Sequence, residues 1–313
     1  MIFFNEFPKT SLIFSHFVVS YMNTRKGSDE MTFNELEKKL SAAGIENSSL
    51  EATLLLSHFC SLTPSSLPYS KGIDFVSEEL TDAVNKRLGG YPLQYILGVW
   101  SFFGLDFKVN ESCLIPRPDT EILVEETIKR LREKRIENAR IADICTGSGC
   151  VAISLLSHLP QASAIATDIF DQTLTLAREN AESNKVSERF FAFISDATAD
   201  ELDKTDRPTD FLPPYNAIVS NPPYIETEEI EALSAEVKRE PRAALDGGED
   251  GLDFYRAIVK NYRKYLTPDG FFAFEIGYNQ AAALAKIAEE NNMKCDVKKD
   301  YGGRDRVAVL YND

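Results

Sequence analysis

The spacing of apolar residues divides the chain into a helical first part and an alternating second part. Apolar residues recur every three or four positions from Phe33 through Leu36 to Leu40, which is the period of an amphipathic helix. Similar spacing continues over residues 50–88, with breaks at glycine and proline. The pattern predicts a small helical domain over residues 31–90.

The next segment, residues 91–115, has a different character. It is rich in aromatic and β-branched residues at 95–97 and 100–109, and it is interrupted by Gly98 and Gly104. Such content between glycines is typical of strands. The segment therefore predicts a β-hairpin linker between two domains.

From residue 116 onward, short apolar runs alternate with helical patterns. The predicted strands lie at 140–144, 162–167, 190–194, 217–220, 271–276, 295–299 and 306–310, and the predicted helices lie at 118–135, 150–158, 171–184, 252–265 and 279–291. Alternating strands and helices predict a parallel, doubly wound sheet with helices on both faces. Residues 116–313 therefore predict one α/β domain.

Residues 1–30 share neither pattern. The segment 11–22 is apolar, but no basic segment precedes it and no small-residue cleavage site follows it, so a secretory signal peptide is not predicted. Our hypothesis for residues 1–30 is a disordered extension or a mis-assigned start. No apolar run in the sequence reaches the roughly 20 residues that are needed to cross a bilayer.

The charge of the 313-residue chain is −15, and the acidic residues are concentrated in places. Residues 226–253 alone contain ten acidic and three basic side chains. Nucleic-acid affinity depends on cationic contacts with phosphate, so this charge argues against stable nucleic-acid binding. Two interpretations of the acidic stretch remain open: a solvated face that favours solubility, or steering of a basic partner.

The cysteine and histidine residues form no disulfide or metal pattern. The five cysteines are odd in number and include no C-x-x-C pair, and the three histidines are scattered. Reduced thiols of this kind are typical of cytoplasmic proteins. We therefore expect a cytoplasmic protein with no metal site, no membrane association and no histidine acting as general base.

A glycine-rich loop follows the first predicted strand of the α/β domain. Residues 145–149 read Cys-Thr-Gly-Ser-Gly and lead into a predicted helix. Glycine lets the backbone turn sharply and approach a ligand closely, and open α/β sheets bind ligands at the carboxyl ends of their strands. The next strand is followed by Asp168, nineteen residues after Gly149, where an acid can accept hydrogen bonds from ribose hydroxyls.

The loop alone does not identify its ligand. Gly147, Gly149 and Ala152 also fit the dinucleotide fingerprint, so a nicotinamide-dependent enzyme remains open, as does a tight turn that binds nothing. Asp143, two residues before the loop, would attract an ammonium group and repel a pyrophosphate. This difference favours a ligand that carries an ammonium group, as S-adenosylmethionine does.

Asn221-Pro222-Pro223-Tyr224 follows the predicted strand 217–220. The two prolines remove two backbone donors and fix φ, which leaves rigid carbonyl acceptors beside the Asn221 side-chain oxygen. Acceptors that hold both hydrogens of an amide or exocyclic amine direct its delocalised lone pair toward a sulfonium methyl group and stabilise the developing positive charge. Tyr224 offers a flat surface for a planar target. The alternative without a function is a proline-rich turn capped by Asn221.

Longer segments around these motifs resemble the HemK/PrmC-type release-factor glutamine methyltransferases. The segment YPLQYILG at 91–98, followed by FFGL at 102–105, is similar to the family's interdomain segment. LIPRPDTE at 114–121 is similar to the start of the family's catalytic domain, and EPRAAL at 240–245 and DYGGRDR at 300–306 also match.

The resemblance covers nearly the whole chain from about residue 32 and implies a fold and a reaction. The implied fold is α/β, with a class I S-adenosylmethionine-dependent methyltransferase domain (a Rossmann-like seven-stranded sheet) behind a small helical domain that docks the substrate. The implied reaction moves a methyl group from S-adenosyl-L-methionine to N5 of the glutamine in the Gly-Gly-Gln motif of class I peptide-chain release factors. The release factor is thus the expected partner, and we expect a monomer.

Carried over by position, the resemblance assigns residues to each task. Cofactor binding falls to Cys145, Thr146, Gly147, Ser148, Gly149, Asp168, Ala197 and Asn221, and catalysis and substrate binding fall to Asn221, Pro222, Pro223 and Tyr224. The family often has glycine where Cys145 stands, and some members have a bulky aromatic residue against the adenine where Asp196 and Ala197 fall. The adenine contact in this chain is therefore expected to come from another residue.

Two other functions stay open. An amino-group methyltransferase acting on adenine N6 or guanine N2 of nucleic acid shares the tetrapeptide at 221–224, but it needs a basic groove that the sequence does not contain. A catalytically silent adaptor on the same fold would not need the intact loop, Asp168 and the tetrapeptide.

Overall fold

The computed structural model describes residues 31–60, 62, 75, 77–198 and 208–312. The chain divides into two compact units, Met1–Asn85 and Lys86–Asp313. The predicted extension or mis-assigned start at 1–30 lies outside the described residues. Within the described ranges, no helix combines the length and the apolar character that spanning a membrane requires.

The first unit is helical, as its apolar spacing predicts. It contains α1 (Phe33–Ala42), α2 (Ser48–Phe59) and most of α3 (Glu78–Leu88). Thr32 and Glu35 form a reciprocal capping box, in which the Thr32 amide donates to the Glu35 carboxylate at 2.9 Å, so backbone donors at the start of α1 are satisfied. Leu36 and Leu40 are fully buried, which confirms the predicted apolar face.

The second unit alternates strands and helices. It contains α4 (Leu93–Leu97), β1 (Val99–Phe102), β2 (Leu105–Lys108), α5 (Glu121–Glu133), β3 (Arg140–Ile144), α6 (Cys150–His158), β4 (Ser163–Asp168), α7 (Asp171–Ser183), β5 (Phe190–Ile194), β6 (Tyr215–Ser220), α8 (Asp253–Tyr262), β7 (Leu266–Glu275), α9 (Ala281–Glu290), β8 (Lys294–Lys299) and β9 (Asp305–Tyr311). Short 3₁₀ helices occupy Pro118–Thr120, Ser187–Arg189, Thr209–Phe211, Thr227–Ala232, Val237–Arg239, Arg242–Ala244 and Arg263–Tyr265. The predicted bounds of β3, α6 and β5 match residue for residue, and the other predicted elements of this unit are present with shifted ends.

Seven strands form one sheet in the order β5-β4-β3-β6-β7-β9-β8. The five strands from β3 to β7 pair in parallel, as predicted. β9 runs antiparallel to both β7 and β8, so the prediction of a wholly parallel sheet is wrong at this edge. Residues 300–304, which join β8 to β9, are too few for the crossover that parallel neighbours need.

The predicted hairpin linker begins with a short helix. Residues 95–97, predicted as strand, belong to α4, which Pro92 precedes and Gly98 ends in the left-handed region at φ 70°. A proline at the start and a glycine at the end are helix boundary signals, and they prevail here over the β-branched content. β1 and β2 form the predicted antiparallel hairpin, and Phe102 and Phe107 are buried in the core of the second unit.

Helices cover both faces of the sheet. Alternate residues of a strand point to opposite faces: on β3, Ile141 packs with residues of α5, α6 and α7, whereas Ala142 and Ile144 pack with residues of α8 and α9. Because both faces are covered, the place left for a ligand is the edge at which the strands end. The carboxyl ends of β4, β3 and β6 are adjacent at that edge.

Candidate active site

A cavity of about 380 Å³ lies at the carboxyl ends of β3, β4 and β6. Of the predicted cofactor residues, its wall contains Cys145, Thr146, Gly147, Ser148, Asp168, Ala197 and Asn221, and it does not contain Gly149. Of the predicted substrate residues, its wall contains Asn221 and Pro223, and it does not contain Pro222 or Tyr224. The fold therefore brings the loop after β3, the acid at the end of β4 and the tetrapeptide after β6 to one space, with a volume typical of small-molecule sites.

The two glycines of the loop have different roles. Both are in the left-handed region, Gly147 at φ 56° and Gly149 at φ 81°, where residues with a side chain are strained. A Cβ on Gly147 would meet no atom within 4 Å, whereas a Cβ on Gly149 would lie 2.8 Å from Ile153 Cδ1 and 3.3 Å from Ala177 Cβ. Gly147 thus leaves room at the cavity, and Gly149 permits close packing of the loop against α6 and α7.

The Asp168 carboxylate is hydrogen-bonded to the loop. Its Oδ2 accepts from the Gly147 amide at 3.1 Å, and its Oδ1 accepts from the Phe170 amide at 3.3 Å. Burial raises the pKa of Asp168, and these amides act in the opposite direction. Each carboxylate oxygen can accept a second hydrogen bond, so Asp168 can also receive hydroxyl donors from a ligand in the cavity.

Asp143 is buried on β3, two residues before the same loop. Its Oδ2 accepts from the Thr146 hydroxyl at 2.7 Å and from the Ala152 amide at 3.2 Å. Burial raises the pKa of Asp143 to about 7. The side chain also contributes to the cavity wall, and a cationic ligand there would favour its charged form.

Asn221 is held by a residue from a distant segment. Its Nδ2 donates to Thr120 Oγ1 at 3.3 Å, and Thr120 also lines the cavity. Pro222 and Pro223 are buried, and within the described residues their carbonyl oxygens accept no hydrogen bond. The Asn221 amide nitrogen is therefore already hydrogen-bonded to Thr120, and the rigid carbonyl groups of Pro222 and Pro223 follow Asn221 in the chain as acceptors.

Tyr224 is fixed at both its backbone and its side chain. Its carbonyl accepts from Gln280 Nε2 at 3.0 Å, and its hydroxyl donates to Glu275 Oε1 at 3.4 Å. A Cβ on Gly247 would lie 2.7 Å from Tyr224 Cα, and one on Gly251 would lie 2.4 Å from the Tyr224 carbonyl oxygen. The Tyr224 carbonyl is thus not one of the free acceptors expected from the tetrapeptide, because Gln280 uses it.

Glu240 connects two segments that border the cavity. Its side chain is buried, accepts from the Ile115 amide at 3.0 Å and forms an ion pair with Arg117. The following residues Pro241, Ala243 and Ala244 belong to the cavity wall, as do residues just before and after Ile115. This ion pair joins the segments at 114–121 and 240–245 beside the cavity.

Sequence reasoning missed two wall residues that follow Asp168. Ile169 and Phe170 line the cavity, yet they remain 52% and 48% exposed, which is unusual for large apolar side chains at a site otherwise well packed. Their position directly after the acid at the end of β4 was a signal available in the sequence. Ala197 also lines the cavity.

Cys113, Cys145 and Cys150 line the cavity as neutral thiols. Burial raises the pKa of each, that of Cys113 to about 12, so the reactive thiolate is scarce at neutral pH. In the part of the chain that the structure describes, no group of three or more His, Cys, Asp or Glu side chains is arranged to hold a metal ion.

Two family models match the chain. Residues 32–98 match the PrmC N-terminal domain, and residues 118–252 match the methyltransferase small domain. Among curated relatives, a release factor glutamine methyltransferase of Moorella thermoacetica is 40% identical over 292 residues, covering 88% of this chain and 96% of the relative. One of Fusobacterium nucleatum subsp. nucleatum is 41% identical over 284 residues, covering 88% of this chain and 77% of the relative.

Solved structures support the fold. The hMettl16 catalytic domain, determined in complex with MAT2A 3′UTR hairpin 6, is 18% identical and superimposes with a TM-score of 0.53 over 76% of this chain and 84% of that chain. At this identity the likeness shows the fold alone and says nothing about the substrate.

Proposed function

The chain belongs to the family of release factor glutamine methyltransferases, and we propose that it methylates N5 of the glutamine in the Gly-Gly-Gln motif of a class I release factor. Family membership makes it an S-adenosylmethionine-dependent protein glutamine methyltransferase. One observation supports the proposed binding of the glutamine amide. Asn221 lies on the wall of the cavity with its amide nitrogen bonded to Thr120, which leaves its oxygen as an acceptor for an amide hydrogen.

The cavity residues fit S-adenosyl-L-methionine. Asp168 has acceptor capacity for the ribose hydroxyls, and Gly147 leaves open space where a side chain would project. Asp143 supplies negative charge for the ammonium group. Residues of the loop complete this part of the proposed site: Cys145, Thr146 and Ser148. When bound, S-adenosyl-L-methionine supplies an electrophilic methyl group.

Ile169 and Phe170 are the proposed source of the adenine contact. Both line the cavity and directly follow Asp168 in the chain, and Ala197 also lines the cavity. An adenine base needs a flat apolar surface, and large side chains that stay half exposed gain the most from being covered. These residues take the place of the aromatic residue that some relatives have where Ala197 stands.

The tetrapeptide is proposed to hold the target amide. The Asn221 side-chain oxygen accepts one amide hydrogen, and a carbonyl of Pro222 or Pro223 accepts the other, since those carbonyls have no other partner among the described residues. Acceptors in fixed positions orient the nitrogen lone pair and stabilise the positive charge that develops on nitrogen. The proton leaves after the methyl transfer, so no strong general base is needed.

The experiment is to incubate a purified release factor with this protein and S-adenosyl-L-methionine, and to measure intact mass followed by peptide mapping. We expect the release factor to gain the mass of one methylene group, on the glutamine of the Gly-Gly-Gln peptide. A methyl group on another residue, or none on the release factor while S-adenosyl-L-methionine still binds, would refute the proposed substrate. Parallel incubation with duplex DNA and with RNA tests the nucleic-acid alternative.

The proposed setting is a cytoplasm, without stable nucleic-acid binding. The five cysteines are all free thiols, and the net charge of −15 is unfavourable for binding phosphate. A change in the electrophoretic mobility of labelled DNA or RNA on addition of this protein at physiological salt would contradict the proposed lack of stable nucleic-acid binding.

A further inference from the structure

Gln280 is a buried amide side chain that neither the cofactor nor the proposed chemistry uses. It directly precedes α9, is 7% exposed and does not line the cavity. Its Nε2 donates to the Tyr224 carbonyl at 3.0 Å and to the Gly251 carbonyl at 3.2 Å, and its Oε1 accepts from the Gly277 amide at 2.9 Å. One side chain therefore joins the last residue of the tetrapeptide, the loop before α8 and the turn after β7.

Backbone groups alone determine the orientation of the Gln280 amide. The Tyr224 and Gly251 carbonyls can only accept and the Gly277 amide can only donate, so the nitrogen must face the first two groups and the oxygen the third. The Gln280 backbone is fixed as well, because its amide donates to the Gly277 carbonyl and its carbonyl accepts from the Leu284 amide, both at 3.0 Å. Gln280 is therefore a rigid support for the groups that it bonds.

The peptide group after Tyr224 is held on both of its sides. Gln280 bonds its oxygen, and its N–H, which belongs to Ile225, donates to the Leu245 carbonyl at 3.0 Å. A proline ring fixes φ but leaves ψ free, so the two prolines of the tetrapeptide do not by themselves fix the direction of their carbonyl groups. A peptide group anchored directly after them removes this remaining freedom.

We infer that Gln280 is a positioning residue that holds the tetrapeptide in the backbone conformation in which it binds the substrate amide. This inference rests on the proposed function, in which the Asn221 oxygen and a proline carbonyl accept the two amide hydrogens. Because Gln280 does not line the cavity, it acts through Tyr224 and not by contact with a ligand. A carboxylate of the same size cannot replace the amide, since it has no hydrogen for the two carbonyls and its charge repels their oxygen atoms.

The substitution Gln280→Glu should make this support depend on pH. The protonated carboxyl has one hydrogen and can bond one of the two carbonyls, whereas the carboxylate can bond neither. The titratable groups around this position come from four elements: Tyr224 after β6, Glu275 at the end of β7, Tyr255 on α8, whose hydroxyl lies 3.4 Å from Gln280 Oε1, and Arg306 on β9. Burial raises the pKa of the introduced carboxyl, a charged Glu275 adds to the shift and Arg306 opposes it. The activity of the variant, relative to the wild type, should therefore decrease as the pH rises.

The experiment measures kcat and KM for release-factor methylation from pH 5.5 to 8.5, at saturating S-adenosyl-L-methionine, in the wild type, Gln280→Glu and Gln280→Met. At pH 8.5 both variants should have a kcat that is lowered on the order of 10- to 100-fold, because small displacements of reacting groups slow the reaction strongly. The loss in Gln280→Glu should be about fivefold smaller at pH 5.5, whereas the loss in Gln280→Met, which has no group to protonate, should be the same at both pH values. KM for the release factor should change less than kcat, and S-adenosyl-L-methionine affinity, measured by calorimetry, should change little.

Asn184→Asp is the matched control for replacing an amide that supports two carbonyls. The Asn184 Nδ2 donates to the Asp106 and Asn180 carbonyls, both at 3.0 Å, and Asn184 does not line the cavity. This variant should lose stability but keep the wild-type kcat throughout the pH range. The control separates the loss of a supporting amide in general from the loss of the amide that holds the tetrapeptide.

The outcomes separate the two claims. If the wild type methylates the release factor and both Gln280 variants keep its kcat, the inference is overturned and the proposed function stands. The same conclusion follows if Gln280→Glu has the same loss at every pH, or if Asn184→Asp shows the same pH-dependent loss. Should Gln280→Glu not fold, Gln280→Met decides, and a normal kcat in that variant overturns the inference. If the wild type does not methylate the release factor, the proposed function and this inference fall together.

Discussion

The cofactor half of the site and its substrate half are held together by hydrogen bonds that span different distances along the chain. We name the two halves after the roles proposed above: the cofactor half is residues 143–152 with Asp168, and the substrate half is residues 221–224 with Thr120 and Glu275. In the cofactor half, the side-chain bonds that Asp143 and Asp168 accept span 2, 3, 9 and 21 residues. In the substrate half, the bonds of Asn221 and Tyr224 span 101, 51 and 56 residues. Local turn geometry therefore forms the first half, and the completed sheet forms the second.

Each half also contains one buried carboxyl whose pKa is raised to about 7 by burial, Asp143 and Glu275. Asp143 faces the cavity, where a cationic ligand can compensate its charge, whereas Glu275 is absent from the cavity wall. We therefore expect the charge of Asp143 to respond to ligand binding and the charge of Glu275 to respond to its protein neighbours. Variants in the two halves should consequently give different signatures in binding and in turnover.

The largest effect is expected for Asn221→Ala. Loss of a preorganised acceptor for the developing charge should lower kcat about 100- to 1000-fold, with little change in S-adenosyl-L-methionine affinity measured by calorimetry. Asn216→Ala is a control on β6, the strand that Asn221 follows, because Asn216 accepts from the Arg140 amide at 2.9 Å and should keep normal turnover. A near-normal kcat in Asn221→Ala would remove Asn221 from the substrate half.

Gly149→Ala should be more damaging to stability than Gly147→Ala. Both substitutions place a Cβ at positive φ, which costs about 1–2 kcal/mol, but only the Cβ at Gly149 collides with Ile153 and Ala177. Overpacking should cost Gly149→Ala about 1–3 kcal/mol more. Urea unfolding of both variants measures the difference, and equal losses would contradict the packing role of Gly149.

Asp168→Ala should show the opposite signature from Asn221→Ala. The loss of charged acceptors for ribose hydroxyls should weaken S-adenosyl-L-methionine affinity about tenfold or more, while kcat at saturating cofactor stays near the wild-type value. Asp171→Ala is the control, since Asp171 is a largely exposed acid at the start of α7. Unchanged calorimetric affinity in Asp168→Ala would exclude Asp168 from the cofactor half.

The smallest effect is a gain in stability in Glu275→Gln. Because burial raises the folded-state pKa of Glu275 to about 7, the folded chain binds the proton more tightly than the unfolded chain, and this stabilisation is lost as the pH rises through about 7. The neutral glutamine avoids that loss, so Tm at pH 8 should rise by about 2–4 °C, with a smaller difference at pH 5. Thermal unfolding of the variant and the wild type at both pH values tests this prediction. A lower Tm of the variant at pH 8 would show that the charged carboxylate is stabilising.

The comparison also explains which features could be predicted from the sequence. The bounds of β3, α6 and β5 were predictable because hydrophobic period and glycine spacing are local signals. The same applies to Asp168 and the loop, whose separation is a property of one strand-loop-helix-strand unit. The helical conformation of residues 95–97 was not predicted, because β-branched content and helix boundary signals conflict there.

The partners of the tetrapeptide could not be predicted in the same way. No local pattern connects Asn221 to Thr120 or Tyr224 to Glu275, since these pairs meet only when β6 and β7 are paired and α5 is packed on the sheet. The involvement of the Tyr224 carbonyl with Gln280 was missed for the same reason. The predicted roles of the site residues remain predictions until the variants above are measured.

The place of β9 in the sheet and in the chain determines when Arg306 can reach Glu275. Because β9 is antiparallel to β7, its first residues lie beside the last residue of β7, and Val307 pairs with Glu275. Arg306, which favours the charged form of Glu275, reaches the site in this way. β9 also lies between β7 and β8, although the ribosome makes it after both. A growing chain therefore obtains the cation beside Glu275 only when β9 has been synthesised and has inserted between two strands that precede it.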